Sequence, residues 1–291
     1  MDESQEISSL PEVISIEKVK LTKEIEALLG KTDELRARIN NRHINVFVFR
    51  YISNKHSVSG FILIPKKIKN KLPVLIYNRG GTKDYGLIKK GVLFTDLADM
   101  SRWGSIILGS QYSGNVLSEG IDERGGRDVN DVMVLIKIAK KLSFIEKEKM
   151  AMYGASRGGM MTYRVLTRTS AIKTAIIVAG EADLIREVKT RPEMEEVFKG
   201  CFGGKREELR ERSAIYWADK FKKKTSLLLI HGTSDDKVNY LDSVRLSKEL
   251  KKYQIPHELI LIPGGDHQLH GHRAEVGKLT FDWLKNKNIL S

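Results

Sequence analysis

The chain has 291 residues, of which 41% are hydrophobic, and it carries a formal net charge of +13. This length allows one large α/β domain or two small ones, and the apolar runs are too short to cross a bilayer. A single cysteine, Cys201, excludes an internal disulfide framework and a cysteine-rich metal site. The acidic N-terminal residues 1–6 lack a signal peptide's basic start and apolar core, so we expect a cytoplasmic protein without a membrane partner.

The excess of basic residues raises the question of nucleic-acid binding. The basic residues are dispersed as pairs and triplets, such as residues 66–67 and 222–224, and they are mixed with acids. No nucleic-acid-binding motif accompanies them. The pattern is typical of a solvated surface, and we expect no nucleic-acid partner.

The N-terminal region predicts helices. Apolar residues are spaced through residues 12–29 between Pro11 and Gly30, which indicates one amphipathic helix. A second short helix is predicted from Asp33 to about Ile39. We therefore expect residues 1–40 to form a helical extension and residues 41–291 to form the main domain. The first helix either packs on that domain or pairs with a second subunit, which makes a homo-oligomer a hypothesis.

The main domain alternates between strand and helix patterns after an antiparallel hairpin over residues 46–64. Strands are predicted at 73–77, 104–108, 149–153, 174–179, 226–230 and 258–262, with helices at 93–100, 129–139, 160–168 and 276–284. This order predicts an α/β fold with a mostly parallel sheet of about eight strands and helices on both faces. Residues 184–224 are charged and helical in pattern, which predicts a cap across the sheet edge.

Ser156 is the centre of a G-x-S-x-G pattern that runs from Gly154 to Gly158 between a predicted strand and a predicted helix. This context is typical of a nucleophile elbow, in which a sharp turn exposes the serine hydroxyl. The amide of Arg157, at the start of the helix, would point toward a developing oxyanion. The pattern alone also fits a structural turn. The interpretation of Ser156 as a nucleophile therefore requires an acid and a histidine later in the chain.

The required acid and histidine both follow strands. Asp235 and Asp236 come after strand 226–230; Asp235 lies nearer the strand end, and Asp236 could cap the next helix. His267 follows strand 258–262 in a glycine-rich loop, from which it could act as a general base. His267 also belongs to an H-x-x-H-x-H pattern, but no cysteine cluster or H-E-x-x-H pattern accompanies it, so we expect no metal.

Two further stretches follow strands at the same predicted edge. Arg79, Gly80 and Gly81 come directly after strand 73–77, and glycines there let backbone amides approach a ligand closely. This stretch is either a plain tight turn or the source of a second oxyanion donor. Glu181 follows strand 174–179, at the edge where open α/β sheets bind ligands, and is a candidate for substrate contact.

With these motifs placed, the chain resembles the catalytic domain of the prolyl oligopeptidase family of serine peptidases. The matching stretches are Gly154-Ala155-Ser156-Arg157-Gly158-Gly159, residues 231–238 and Gly265-Asp266-His267, within a resemblance that spans about residues 43–285. It implies an α/β-hydrolase fold, assigns the acid to Asp235 and the base to His267, and places the Arg79 turn at the oxyanion loop.

The chain departs from this family in two ways. Several members have a tyrosine in the oxyanion loop, where this chain has Arg79. Larger members also carry an N-terminal β-propeller, which the residues before the hairpin are too few to build. Selection of substrates by size must therefore come from the cap or from oligomerisation.

The prediction is a serine hydrolase that forms an acyl-enzyme through Ser156, Asp235 and His267, with neither metal nor organic cofactor. The first candidate is a peptidase acting on short peptides, and the alternative is a carboxylesterase. A non-catalytic α/β-hydrolase-fold binding protein is a third hypothesis, against which the complete set of three residues argues. A dinucleotide site is excluded because the glycine spacing around Ser156 is not G-x-G-x-x-G.

Overall fold

Nine strands form one mixed sheet in the computed structural model, which describes residues 2–291. The strands are β1 (Val13–Lys18), β2 (Ile44–Ser53), β3 (His56–Pro65), β4 (Leu72–Asn78), β5 (Ile106–Ser110), β6 (Ile145–Ala155), β7 (Thr174–Val178), β8 (Ser226–Gly232) and β9 (His257–Ile262). Their order in the sheet is β1-β2-β3-β5-β4-β6-β7-β8-β9. Pairings from β5 to β9 are parallel, and those from β1 to β5 are antiparallel.

Helices cover both faces of this sheet. They are α1 (Glu3–Ser8), α2 (Lys23–Ala27), α3 (Lys31–His43), α4 (Lys90–Phe94), α5 (Asp96–Ser101), α6 (Val129–Lys141), α7 (Arg157–Arg168), α8 (Leu184–Thr190), α9 (Glu193–Phe202), α10 (Arg206–Arg212), α11 (Tyr240–Lys252) and α12 (Arg273–Asn286). The predicted α/β-hydrolase fold, with a mostly parallel sheet and helices on both faces, is confirmed. No helix within residues 2–291 has both the length and the apolar character needed to cross a membrane.

The predicted helix over residues 12–29 is wrong. Val13–Lys18 is strand β1, which pairs antiparallel with β2, and only Lys23–Ala27 in that region is helical. Valine and isoleucine favour strands, and an unpaired edge of β2 offers backbone groups that another strand satisfies. The apolar spacing imitates a helix, but Ile14 points to solvent with 52% of its surface exposed.

This correction changes the interpretation of the N-terminal region. Part of the predicted helical extension joins the central sheet and supplies its ninth strand. The second predicted helix is present and longer than expected, as α3. The homo-oligomer hypothesis relied on a continuous apolar stripe along residues 12–29, and it loses that structural basis.

The core lies in two layers separated by the sheet. Along β4, Val74 and Ile76 pack into one layer with α6 and α7, whereas Leu75 and Tyr77 pack into the other with α5 and α12. Strands buried on both faces are expected to be apolar at successive positions, as β4 is. The predicted cap contains α8, α9 and α10, and its apolar residues join the first layer. The parallel strands β4 to β8 therefore end at one edge of the sheet, where the candidate site lies.

Candidate active site

Ser156 lies in the sharp turn between β6 and α7, with φ 55° and ψ −124°. A positive φ is unfavourable for a serine and persists where the surrounding structure enforces it, commonly at functional sites. A β-carbon at Gly154 would collide with the carbonyl of Gly158, and one at Gly158 would collide with the carbonyl of Asn78. The glycines therefore let strand and helix approach closely enough to hold the Ser156 hydroxyl above the sheet edge.

The structure brings Ser156, His267 and Asp235 together in one hydrogen-bonded chain. His267 Nε2 lies 3.1 Å from Ser156 Oγ, and His267 Nδ1 lies 2.8 Å from Asp235 Oδ2. Because an ionised carboxylate only accepts hydrogen bonds, Nδ1 carries the proton and Nε2 is left to accept the serine proton. The competing acid, Asp236, is largely exposed and pairs with Lys237 instead.

Asp235 accepts four hydrogen bonds although its side chain is buried. Its Oδ1 accepts the amides of Lys237 and Val238, and its Oδ2 accepts from His231 and His267. Burial alone would raise the pKa of Asp235, but the hydrogen bonds from the two histidines hold it well below its usual range. The carboxylate is therefore kept ionised beneath His267.

His231 is a part of the site that the sequence analysis did not identify. Its Nε2 lies 2.9 Å from the Val238 carbonyl and 3.0 Å from Asp235 Oδ2, so Nε2 must carry the proton. Its Nδ1 then accepts from the Ser243 hydroxyl, 2.7 Å away. The signal that could have identified it is a histidine at the very end of a buried strand, four residues before the acid.

The other two histidines of the H-x-x-H-x-H pattern point to separate partners. His270 Nδ1 contacts Asp266, and His272 Nδ1 contacts Glu275. Across residues 2–291, histidine, cysteine and acidic side chains form no group of three or more arranged to hold a metal ion. The three histidines of the pattern therefore contact three different acidic side chains.

Gly80 lies beside the serine. A β-carbon placed on Gly80 would be 4.0 Å from Ser156 Oγ and 3.3 Å from the Ala155 carbonyl. Within residues 2–291, the backbone amides of Gly80, Gly81 and Arg157 have no hydrogen-bond acceptor. Free amides at such a position are suited to bind a developing oxyanion, and the role of this turn as an oxyanion donor stays a prediction.

The side chain of Arg79 has hydrogen-bond partners, unlike the free amides of Gly80 and Gly81. Its guanidinium is buried and donates to four backbone carbonyls, those of Gln111, Gly80, Lys83 and Tyr85. Burial and the nearby Arg157 lower the pKa of Arg79 to about 10. Its side chain was a candidate oxyanion donor, but it points into the loop and instead fixes the loop's shape.

The side chain of Arg157 connects the serine turn to two other loops. It donates to both oxygens of Asp122, at 2.6 and 2.7 Å, to Asp128 at 2.8 Å and to the Gly81 carbonyl at 2.8 Å. All three charged side chains are fully buried. Burial alone would lower the pKa of Arg157, but the two carboxylates raise it above its ordinary value. These ion pairs hold the Gly81 turn against the start of α7.

Glu181 is adjacent to the serine, but its charge is balanced. Its amide donates to the Ser156 carbonyl at 3.3 Å, and its carboxylate forms an ion pair with Arg124 at 2.6 Å. The Arg124 guanidinium lies 5.2 Å from the ring of Phe198 on α9. Glu181 therefore joins the cap to the site, while its role in substrate contact stays a prediction.

Comparison with known proteins places this geometry in context. The model of the prolyl oligopeptidase family, peptidase S9, matches residues 107–288. The matched segment contains Ser156, Asp235 and His267. The turn at Gly80 and Gly81 lies before it.

Individual relatives agree with this match. The chain is 24% identical over 254 residues to an uncharacterized peptidase, YtmA, of Bacillus subtilis, covering 85% of this chain and 96% of that one. It is 28% identical over 174 residues to dipeptidyl peptidase 4 of Sus scrofa, covering 57% of this chain and 22% of that protein. It therefore spans nearly all of the first relative and less than a quarter of the second.

Among solved structures, acylaminoacyl peptidase of Pyrococcus horikoshii superposes with a TM-score of 0.76 at 22% identity. The alignment covers 89% of this chain and 44% of that chain. At this identity the superposition supports the fold, and the chain spans less than half of the solved protein.

Proposed function

Because the chain belongs to the prolyl oligopeptidase family of serine peptidases, and is a hydrolase of that family, we propose that Ser156 is its nucleophile. The observation that carries this proposal is the continuous hydrogen-bonded chain from Ser156 Oγ through His267 to Asp235. Ser156 Oγ attacks the substrate carbonyl while His267 Nε2 takes its proton. Asp235 keeps the imidazole in the required tautomer and stabilises the imidazolium.

The amides around the serine supply the second part of the mechanism. The tetrahedral oxyanion is bound by the amides of Arg157 and of Gly80 or Gly81, which have no other acceptor within residues 2–291. His267 then returns its proton to the leaving group, and water resolves the acyl-enzyme by the same path in reverse. Each oxyanion donor typically contributes about a hundredfold to a thousandfold in rate.

We infer that the substrates are short peptides. Peptide substrates follow from the family, and the cap supports a limit on size. Arg212 of α10 donates from Nε to the Arg124 carbonyl at 2.9 Å, and Arg124 pairs with Glu181 beside the serine. The cap is thereby tied to Glu181 next to the serine turn, and a cap fixed this close to Ser156 favours short substrates.

The first test is labelling with a fluorophosphonate probe, which reacts with activated serines. We expect labelling of the wild-type protein, none of Ser156→Ala and strongly reduced labelling of His267→Ala. Ser247→Ala is a matched control, because Ser247 Oγ also contacts a histidine, His257, at 2.8 Å, but no acid orients that ring. A folded wild-type protein that does not react would remove the proposal.

A second measurement separates a peptidase from a carboxylesterase. We expect turnover of short aminoacyl and prolyl p-nitroanilides as well as of p-nitrophenyl esters, with both activities lost in Ser156→Ala. Hydrolysis of the esters alone would keep the mechanism and replace the peptide substrate with an ester.

A further inference from the structure

Tyr112 is a fully buried residue that contacts the turn carrying the free amides of Gly80 and Gly81. Its hydroxyl donates to the Arg79 carbonyl at 3.2 Å, and none of its surface is exposed. Burial raises the pKa of Tyr112 above its usual range, so the hydroxyl keeps its proton and can donate. The residue is thereby bonded to the first peptide of the turn.

This hydrogen bond fixes the direction of an amide. The Arg79 carbonyl and the Gly80 amide belong to the same peptide group, which is planar and trans, so they point in opposite directions. With the carbonyl held by Tyr112, the Gly80 amide is turned away from the hydroxyl and has no acceptor within residues 2–291. The turn itself lies against the serine, since a β-carbon on Gly80 would be 4.0 Å from Ser156 Oγ.

The next peptide of the turn is held through the ring of Tyr112. The guanidinium carbons of Arg79 and Arg157 lie over this ring, 5.0 and 4.9 Å from its centre. A cation within about 6 Å of an aromatic face is attracted to it. Arg79 Nη1 in turn donates at 3.0 Å to the Gly80 carbonyl, which shares a peptide group with the Gly81 amide. The ring therefore stabilises the guanidinium that directs the second amide.

Of the two arginines, Arg79 depends more on this ring. Arg157 is paired with the carboxylates of Asp122 and Asp128. The Arg79 guanidinium donates only to backbone carbonyls within residues 2–291, and both burial and the nearby Arg157 lower its pKa. An aromatic ring that attracts both cations offsets part of their repulsion. Loss of the ring would thus loosen Arg79 first.

The backbone at Tyr112 is strained. Its φ is 61°, in the left-handed region that residues with bulky side chains rarely adopt. Two hydrogen bonds hold it there, because its amide donates to Ser110 Oγ at 2.9 Å and its carbonyl accepts from Asn115 Nδ2 at 2.8 Å. Strain of this kind persists where the surrounding structure enforces it, commonly at functional sites. This observation is independent of the side-chain contacts and concerns the same residue.

We propose that Tyr112 is a positioning residue for the oxyanion donors. Its hydroxyl directs the Gly80 amide, and its ring holds Arg79 so that the Gly81 amide is directed as well. The inference rests on the proposed function, since it requires an oxyanion to form at Ser156. Tyr112 itself contacts neither the substrate nor the reacting atoms and acts through the backbone of the turn.

The test is Tyr112→Phe, which removes the hydroxyl and keeps the ring. We expect kcat/KM on the best anilide or ester to fall about tenfold, less than the loss of a whole donor, with KM nearly unchanged. The second readout is inhibition by a trifluoromethyl ketone analogue of that substrate. Ser156 Oγ adds to the ketone carbon, its proton passes to His267, and the ketone oxygen becomes an oxyanion. The inhibition constant, Ki, should rise by about the same factor as kcat/KM falls.

The inhibition constant separates positioning from stability. It does not depend on the fraction of protein that is folded, so a purely structural role would lower kcat and leave Ki unchanged. Tyr163→Phe is the matched control, because Tyr163 is also fully buried and its hydroxyl has no partner within residues 2–291. We expect it to keep the wild-type Ki. A folded Tyr112→Phe protein with the wild-type Ki would overturn the proposal.

Two further variants keep the test decisive. Tyr112→Leu removes the ring as well, and we expect a larger rise in Ki than in Tyr112→Phe, because Arg79 is then loosened too. Should Tyr112→Phe fail to fold, Ser110→Ala releases the Tyr112 amide instead and should also raise Ki. An unchanged Ki in that variant would contradict the proposal. A wild-type protein that does not react with the fluorophosphonate would overturn the proposed function itself, so the two failures are distinguishable.

Discussion

The two sides of Ser156 are built differently. On one side, His267 and Asp235 are joined by single hydrogen bonds, and the His267 side chain is 20% exposed. On the other side, Arg157, Asp122 and Asp128 form ion pairs with no exposed surface. The proposed mechanism moves a proton on the first side and requires fixed amides on the second. The difference suggests that rigidity is concentrated where the oxyanion is to be held.

The buried aspartates on the two sides show the same contrast. Burial would raise the pKa of Asp235, but His231 and His267 lower it well below its usual range. Burial raises the pKa of Asp131 to about 7, since Ser113 hydrogen bonds only partly offset burial and the nearby Asp128 adds repulsion. Asp131 accepts from Ser113, in the loop that follows β5. One acid is thus kept ionised beside two histidines, while the other loses its proton in the fold only near neutral pH.

The largest effect is expected from changing the oxyanion side at Gly80. In Gly80→Ala the new β-carbon would lie 3.3 Å from the Ala155 carbonyl and 3.4 Å from Ser156 Cβ, so the turn must shift. Gly80 does not have a positive φ, and alanine is therefore tolerated by the backbone itself. We expect kcat/KM to fall about a hundredfold because a displaced amide no longer meets the oxyanion.

The measurement for Gly80→Ala is steady-state kinetics on the best anilide or ester. Gly200→Ala, at a helical position with open space around it, serves as the control and should retain full activity. A Gly80→Ala protein with wild-type kcat/KM would show that this turn does not supply the donor.

A smaller effect is expected on the acid–base side from His231→Asn. The change removes the hydrogen bond from His231 Nε2 to Asp235, and such bonds to charged groups contribute about 1.5–3 kcal/mol. We expect kcat to fall by about tenfold to a hundredfold, with KM nearly unchanged, since His231 lies beneath Asp235 and away from the substrate.

His257→Asn is the matched control for His231→Asn, because His257 is hydrogen-bonded to Ser247 outside the site. It should leave kcat unchanged. If both variants lost activity only in proportion to their loss of folded protein, His231 would contribute only to the stability of the fold.

The proximity of Ser156, Asp235 and His267 could be predicted from the sequence because each follows a strand closely. Parallel strands bring their ends to one edge, so local patterns alone bring these residues together. The strand β1 could not be predicted in this way, since its apolar spacing fits a helix and its pairing depends on the distant strand β2. The same holds for Arg157 with Asp122, for the side chain of Arg79 and for His231. Their roles depend on contacts made only after the chain has folded.

The smallest effect on activity, and the most specific in pH, is expected from Asp131→Asn. In the unfolded chain Asp131 loses its proton near its ordinary pKa, about 3.9, whereas in the fold it does so near pH 7. Between these values the folded state binds more protons, so stability falls as the pH rises.

Asparagine carries no such proton and can still accept from Ser113. We therefore expect Asp131→Asn to match the wild-type Tm at pH 4 and to exceed it increasingly up to about pH 7, where the difference levels off. Thermal unfolding at several pH values measures this, and a Tm difference that is constant with pH would show that Asp131 ionises normally in the fold. The opposite slope is expected of Asp235, whose contribution to stability is complete above its unfolded pKa and is lost on acidification. The buried acids Asp131 and Asp235 would then be distinguished by the direction in which the stability contribution of each responds to pH.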